Sequence, residues 1–261
     1  GSEIDTIDYS TINTTGFTQG IDVVLQAGSP ANVYVDGDTA NVHHTITNVE
    51  NVIGTDLKDN ITGDNQANTI SGMAGDDTLR GNALSDTLYG GDGADELWGE
   101  EGSDLLEGGA NNDIIRGGSG FDILRGDDGA DSIYGEADAD QIYGGADDDY
   151  IEGGDDNDTI VGEAGDDTIR GDKGDDIIAG GTVTISGGTV TSSVDNGNAD
   201  TVDYSGALTS MTVDLETDDT NDLSSKGEAY SSNLNDQGTD ELYDIENVIG
   251  SEEDDNIKGS S

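Results

Sequence analysis

The chain has 261 residues and a formal net charge of −51, from 59 acidic side chains against 8 lysines and arginines. So acidic a surface argues against nucleic acid or an anionic lipid surface as a direct partner, and makes cations the natural counter-ligand. No apolar run approaches the ~18 residues of a membrane-inserted span, and with no cysteine and only 31% hydrophobic residues something other than disulfides or a large core must staple the fold.

Residues 1–53 are the first predicted element, a set of short strands without a fixed period. Its landmarks are Asp5-Thr6-Ile7-Asp8-Tyr9-Ser10, Asp22-Val23-Val24-Leu25 and Glu50-Asn51-Val52-Ile53-Gly54. His43 and His44, the only histidines, fall near its end. No H-E-x-x-H, G-x-S-x-G or phosphate-loop motif accompanies them, so they are expected to be exposed or packed rather than catalytic. The chain starts Gly1-Ser2 with neither Met nor a signal peptide and reads as a piece of a larger protein.

Residues 54–179 divide into fourteen nonapeptides without insertion or deletion. Gly holds the first place in every unit, from Gly54 and Gly63 to Gly171. The sixth place reads Asp59, Asn68, Asp77, Asp86, Asp95, Asp104, Asp113, Asp122, Asp131, Asp140, Asp149, Asp158, Asp167 and Asp176. The eighth place is only Leu or Ile, from Ile61 and Ile70 to Ile178. A fixed internal period is the mark of a solenoid, and a merely solvated acidic tract has no need of an aliphatic column.

Units such as Gly90-Gly91-Asp92-Gly93-Ala94-Asp95-Glu96-Leu97-Trp98 resemble the RTX, or haemolysin-type, calcium-binding repeat G-G-x-G-x-D-x-U-x. That resemblance implies an all-β, right-handed parallel β-roll (a β-helix or solenoid) that binds calcium. It also implies export by type I secretion, with folding delayed until the chain meets extracellular calcium. Similar arrays form parts of secreted metalloproteases, lipases and alginate epimerases, whose catalytic motifs are not visible in this sequence.

The residue types ask for the same architecture on physical grounds. Places seven to nine make a three-residue strand whose middle side chain points opposite to its neighbours. Place eight therefore faces inward, and places seven and nine face out. Places one to six turn the chain through φ > 0. At place four Asn111, Asp138, Asp147 and Asp156 substitute for Gly, whereas Leu57, Gln66 and Leu84 fit poorly. Two units make one 18-residue coil, and coils stacked ~4.8 Å apart give two parallel sheets, seven coils running roughly 34 Å.

Each aspartate then lies above the one eighteen residues earlier, in two ladders. One runs Asp59, Asp77, Asp95, Asp113, Asp131, Asp149, Asp167; the other Asn68, Asp86, Asp104, Asp122, Asp140, Asp158, Asp176. Calcium takes six to eight oxygens and suits carboxylates combined with turn carbonyls. The thirteen aspartates are the candidate metal ligands, and bridging successive rungs allows up to about 12 ions. Aliphatic burial alone falls short of the entropy of ordering so long an array, so folding is expected to require calcium. The Asn68/Asp86 rung lacks a carboxylate, and the first sites are expected to be weak, distorted or empty.

Residues 180–249 leave the register and resemble residues 1–53: Asp200-Thr201-Val202-Asp203-Tyr204-Ser205, Thr212-Val213-Asp214-Leu215 and Glu246-Asn247-Val248-Ile249-Gly250 repeat the earlier landmarks. Alternation at Val183, Ile185 and Val190 marks strands, while 187–199 and 216–240 read as exposed loops. Both flanks are expected to be wider, irregular β coils that cap the roll, with Tyr9 and Tyr204 in core or coil-edge packing rather than a binding role; a separate small β domain is the alternative. Residues 250–261 restart the repeat, with Asp255 and Ile257 at places six and eight.

Place nine carries all four arginines, Arg80, Arg116, Arg125 and Arg170, along with Tyr89, Trp98, Tyr134 and Tyr143. Successive rungs read Arg80, Trp98, Arg116, Tyr134, Glu152, Arg170 on one sheet and Tyr89, Glu107, Arg125, Tyr143, Val161 on the other. Neighbours one coil apart are expected to form cation–π and ion-pair ladders that stabilise the sheets. The alternative is an adhesin or surface-layer segment that meets a glycan or a surface protein through Trp98, Tyr134 and Arg116. The primary reading is a non-enzymatic, calcium-binding structural segment of a secreted, extracellular protein. An accessory domain of a secreted protease, lipase or epimerase is a more distant alternative.

Overall fold

The computed structural model describes residues 4–11, 17–26, 31–35, 44–46, 49–185, 190–194, 200–204, 211–214, 227–231, 239–243, 245, 247–250 and 256–258. Every regular element among them is a β-strand. They fall into two compact units, Gly1–Asp128 and Gly129–Ser261.

In the first unit the flank supplies β1 (Thr6–Asp8), β2 (Ile21–Val24), β3 (Ala31–Val35), β4 (His44–Ile46) and β5 (Asn51–Ile53). The array supplies β6 (Asn60–Thr62), β7 (Thr69–Ala74), β8 (Thr78–Ala83), β9 (Thr87–Asp92), β10 (Glu96–Glu101), β11 (Leu105–Ala110), β12 (Ile114–Ser119) and β13 (Ile123–Asp128). They pair in parallel in the order β1-β5-β7-β9-β11-β13 on one side and β2-β6-β8-β10-β12 on the other. Within the array the register is eighteen residues, so Leu97 lies between Leu79 and Ile115. From β2 the sheet continues through β3 and β4 as an antiparallel meander.

The second unit contains β14 (Ser132–Ala137), β15 (Gln141–Ala146), β16 (Tyr150–Asp155), β17 (Thr159–Ala164), β18 (Thr168–Lys173) and β19 (Ile177–Ala179) from the array. Its flank adds β20 (Thr182–Ile185), β21 (Val190–Val194), β22 (Thr201–Asp203), β23 (Met211–Asp214), β24 (Gly227–Ser231), β25 (Thr239–Tyr243), β26 (Asn247–Ile249) and β27 (Asn256–Lys258). Parallel ladders run β14-β16-β18-β22-β26 and β15-β17-β19-β25. An antiparallel meander β25-β24-β23 follows, and β23 pairs in parallel with β27. β20 and β21 form a separate antiparallel hairpin.

The core is the aliphatic column. All fourteen place-eight side chains, from Ile61 to Ile178, are 0% exposed, because strand alternation turns each of them inward at the same height in every coil. Flank strands β1, β2, β5, β22, β25 and β26 extend these parallel ladders, β3, β4 and β24 join the same sheets by antiparallel pairing, and β20–β21 is a sheet of its own.

Several details depart from the sequence reading. The strands β7 to β18 are six residues long, not three, and run through place one into place three of the next unit. The bend comes at place two, where Met73, Asn82, Glu100, Asp127, Glu136, Glu163 and Asp172 adopt φ between 67° and 85°. This left-handed residue re-aims the chain without ending the ladder. Hydrogen bonding resumes beyond it, and Gly75 N donates to Asp92 O at 2.7 Å. At place four Asn111, Asp138, Asp147 and Asp156 do take positive φ, and so does Leu84 at 69°.

Place nine is not always outward-exposed. Val161 and Ala179 are buried and pack with Tyr143 and Ile177, and β20 runs beside β17, the strand that carries Val161. Strands β21 and β24 occupy stretches expected to be loops. Val190, where alternation marks a strand, opens β21, but Thr191-Ser192-Ser193 and the sequence of β24 do not advertise one, and antiparallel pairing to β20 and to β23 and β25 forms them. β25 also begins inside the second of these stretches, at Thr239 and Asp240; the rest of 187–199 and of 216–240 lies outside the described residues, as does His43.

Candidate metal centre

All thirteen ladder aspartates are buried, none more than 3% exposed. Their spacing locks them into chains of backbone-to-carboxylate hydrogen bonds. In the first unit Asp77 N donates to Asp95 Oδ1 and Asp95 N to Asp113 Oδ1, both at 2.7 Å. In the companion ladder Asp86 N donates to Asp104 Oδ1 and Asp104 N to Asp122 Oδ1, at 2.7 and 2.8 Å. The second unit repeats the scheme through Asp131 to Asp149, Asp140 to Asp158, Asp149 to Asp167 and Asp158 to Asp176, at 2.8 to 2.9 Å.

One oxygen of each carboxylate is thus engaged by the preceding coil. The other is not: Oδ2 of Asp77, Asp86, Asp95, Asp104, Asp149, Asp158, Asp167 and Asp176 is buried with no hydrogen-bond partner. A buried carboxylate oxygen with no donor is costly unless a cation or proton compensates it. Burial accordingly pushes Asp77, Asp149 and Asp158 up to about 8, Asp86 and Asp167 up to about 7, and Asp95 up to about 6, against the opposing pull of one backbone N–H each. Neighbouring rungs add to the rise, as Asp59 and Asp95 do for Asp77.

The place-one glycines have a role different from the turn conformation expected of them; none takes positive φ. A Cβ on Gly90 would lie 2.3 Å from Asp95 Oδ2 and 2.5 Å from Gly108 O. The carboxylate of the same unit and the main chain of the next coil therefore close directly on the glycine, and no side chain fits. At place four, a Cβ on Gly93 would lie 2.1 Å from Gly75 O, so turn carbonyls lie close beneath one another coil after coil. Among the described residues no three acidic or imidazole side chains form a metal-holding group. A cation between two rungs would draw the rest of its shell from main-chain oxygens and water, both of which calcium accepts readily. The orphaned oxygens, the carbonyl stacks and the hard, all-oxygen donor set fit calcium.

The start of the array is built differently. Asp59 Oδ1 accepts from Ile21 N at 2.5 Å and Thr55 Oγ1 at 3.0 Å, and its Oδ2 accepts from Thr55 N at 2.6 Å. Asn68 accepts from Asp64 N at 2.7 Å and donates through Nδ2 to Glu50 O at 2.8 Å. Neither Leu57 nor Gln66 takes positive φ. In these two turns protein donors do the work that an ion would do elsewhere.

Two further ladder members were not identified from the sequence. Asp200 Oδ1 accepts from Asp167 N at 2.9 Å, and Asp240 Oδ1 from Asp176 N at 3.3 Å. Tyr204 OH, fully buried, donates to Asp240 Oδ2 at 2.7 Å. Burial and the adjacent Asp176 charge raise Asp240 well above the ordinary carboxylate range. The signal was there in Asp200-x-Val202 and Asp240-x-Leu242, which keep the place-six to place-eight spacing without the glycines.

On the outer face the Arg80 guanidinium stacks 3.9 Å from the Trp98 ring centroid and meets Glu100 at 3.2 Å. Glu152 and Arg170 pair at 3.1 Å, and Tyr134 meets Tyr150 at 6.1 Å between ring centroids. Of the expected outer-face pairs, the Arg80/Trp98 cation–π contact and the Glu152/Arg170 ion pair are thus formed.

A parallel β-roll whose turns carry stacked, half-satisfied carboxylates defines a calcium-binding solenoid module. The model of the RTX calcium-binding nonapeptide repeat matches residues 53–88, 80–115, 89–124, 116–151 and 152–182. Across residues 53–182 the chain belongs to that RTX family. No curated protein matches the chain.

Proposed function

We propose that the chain is a non-enzymatic, calcium-triggered structural segment of an exported protein, unfolded at low calcium inside the cell and folded into the roll outside it. Its ligands are the place-six aspartates from Asp77 to Asp176 together with turn carbonyls. Within each unit four backbone-to-carboxylate hydrogen bonds link successive members of this set. Asp59, already supplied with three donors, contributes least. The observation that carries the reading is the row of buried Oδ2 atoms without a donor. Without a cation these groups oppose folding, and with one they clamp successive coils.

Delay until export follows from the calcium affinity expected of extracellular modules, on the order of 10⁻⁴ to 10⁻³ M, far above cytosolic supply. Circular dichroism during a calcium titration, followed by chelation, tests the proposal. A disordered spectrum without metal and a cooperative, reversible β transition on addition are expected. A compact, protease-resistant β structure in excess EDTA at neutral pH overturns it.

The outer Arg and aromatic ladder is assigned to holding the sheet together, since Arg80 spends its guanidinium on Trp98 and Glu100. An adhesive role through Trp98, Tyr134 and Arg116 predicts glycan or cell binding that Trp98→Ala abolishes. Binding unchanged by that substitution leaves the stabilising role.

A further inference from the structure

The chain leaves the nonapeptide register after Ala179, yet one carboxylate ladder continues across the break. β22 takes the place of the next array strand on β18, with Thr201 level with Thr168 and Val202 level with Ile169. Thr201 N donates to Asp167 O at 2.8 Å, as Thr168 N does to Asp149 O. Asp167 N donates to Asp200 Oδ1 at 2.9 Å, the same distance as Asp149 N to Asp167 Oδ1. The partner carboxylate now lies 33 residues along the chain instead of 18. The β20–β21 hairpin falls inside that interval, and Asp200 resumes the ladder beyond it.

The oxygen donors of an array rung are kept at this junction. Asp167 is 0% and Asp200 2% exposed, and Asp167 Oδ2 is buried with no hydrogen-bond partner. A Cβ on Gly162 would lie 2.1 Å from Asp167 Oδ2 and 2.8 Å from Gly180 O. The pairing of carboxylate oxygen and next-coil carbonyl found at Gly90 therefore persists here, although the residues after Gly180 no longer follow the repeat. Two carboxylates withdrawn from water repel each other, and a buried oxygen without a donor is costly unless a cation compensates it. Such a donor set is hard and all-oxygen, the kind calcium prefers.

The companion ladder ends differently. Asp176 N reaches Asp240 Oδ1 at 3.3 Å, and Asp240 Oδ2 accepts from the buried Tyr204 OH at 2.7 Å. Beside Gly171, among the described residues, no next-coil carbonyl comes as close as Gly180 O comes to Gly162. A phenol thus holds the oxygen that an ion would need. Asp200 and Tyr204 flank β22, so this one strand brings a carboxylate to the first ladder and a neutral donor to the second.

We propose that Asp167 and Asp200 form a calcium site outside the nonapeptide array, completed by main-chain and water oxygens, and that the neighbouring Asp176–Asp240 rung takes no ion because Tyr204 serves it instead. The ion ties the chain together across the hairpin and fastens β22, and the second flank with it, to the roll. This inference rests on the calcium reading of the array, and its test separates the two.

Hydrogen exchange is followed by mass spectrometry over residues 200–204 of the full chain folded in calcium, with circular dichroism reporting the array. Opening of β22 alone releases this one ion. With a site affinity near ~10⁻⁴ M, raising calcium from about 1 to about 10 mM should slow exchange in β22 about tenfold. Asp200→Asn, which keeps an acceptor for Asp167 N, should abolish that response while β22 stays protected relative to the chain in EDTA. Asp240→Asn should leave the tenfold response in place. An array that folds in calcium while β22 shows no response, or a response that survives Asp200→Asn, overturns the site. A response lost equally in Asp240→Asn overturns the part given to Tyr204, and loss of all β22 protection in Asp200→Asn makes that residue a structural support instead of a ligand. A chain that fails to fold in calcium refutes the calcium reading itself, and the Asp167–Asp200 site with it.

Discussion

Asp95→Asn is the most direct test of the ladder. Asp95 accepts from Asp77 N through Oδ1, donates its own N–H to Asp113, and keeps a buried Oδ2 without a partner. It therefore belongs to two successive rungs. With a site affinity near 10⁻⁴ M and calcium near 1 mM, each ion adds about 1.4 kcal/mol by mass action. Removing one carboxylate weakens both rungs and costs up to about 3 kcal/mol in calcium, while leaving shape and the aliphatic column intact. Urea unfolding followed by circular dichroism at fixed calcium measures that difference, and the calcium midpoint for folding should rise in step. Asp92→Asn, one exposed carboxylate away in the same turn, serves as the charge-matched control. Equal stability and equal calcium midpoints for the Asp95 and Asp92 variants refute the assignment of the buried ladder as the metal site. Asp59→Asn provides an internal contrast. Its oxygens already take donors from Thr55 and Ile21, so its calcium midpoint should move much less than that of Asp95→Asn.

Further outcomes follow from the turns, the burial and the outer face. Leu84 is held at φ 69° with its side chain 58% exposed, a conformation that costs an L residue roughly 1–2 kcal/mol. Leu84→Gly should therefore raise stability in calcium by about 1 kcal/mol, less the extra chain entropy of glycine; urea unfolding measures it, and a loss of stability counts against the strain. In the metal-free chain, folded values of about 6 to 8 for Asp95, Asp86 and Asp77 stand above the ordinary 3.8. The folded state then binds more protons than the unfolded state between those limits, so its stability is fullest below pH 3.8 and falls as pH rises towards 8. Circular dichroism in EDTA across that range should show β structure gained on acidification, and calcium binding near neutral pH should release protons. The Arg80–Trp98 stack should give a coupling of about 0.5–1 kcal/mol in a double-mutant cycle with alanine at each position; additive single effects remove it.

The fourteen-fold period by itself dictates the architecture, because stacking repeats leaves one place per unit for an inward aliphatic residue and one for a carboxylate. Ile61 to Ile178 and Asp59 to Asp176 were readable in that way, and so was the eighteen-residue spacing of the ladders. Tertiary structure decided what one unit cannot encode alone. Place two takes its left-handed bend at Met73, Glu136 and Asp172 as well as at glycine, since the pull of the ladder on either side outweighs local preference. Gly90 is glycine because Asp95 of its own unit and the Gly108 carbonyl of the following coil press on its Cα, and the second of these contacts exists only once coils stack. Asp200 and Asp240 join the ladders only once β22 and β25 dock on β18 and β19. Strand β24 exists because β23 and β25 hydrogen-bond it, not because its own residues favour extension. A periodic sequence specifies the places where each coil meets its copies; contacts between unlike segments are settled only when the chain closes on itself.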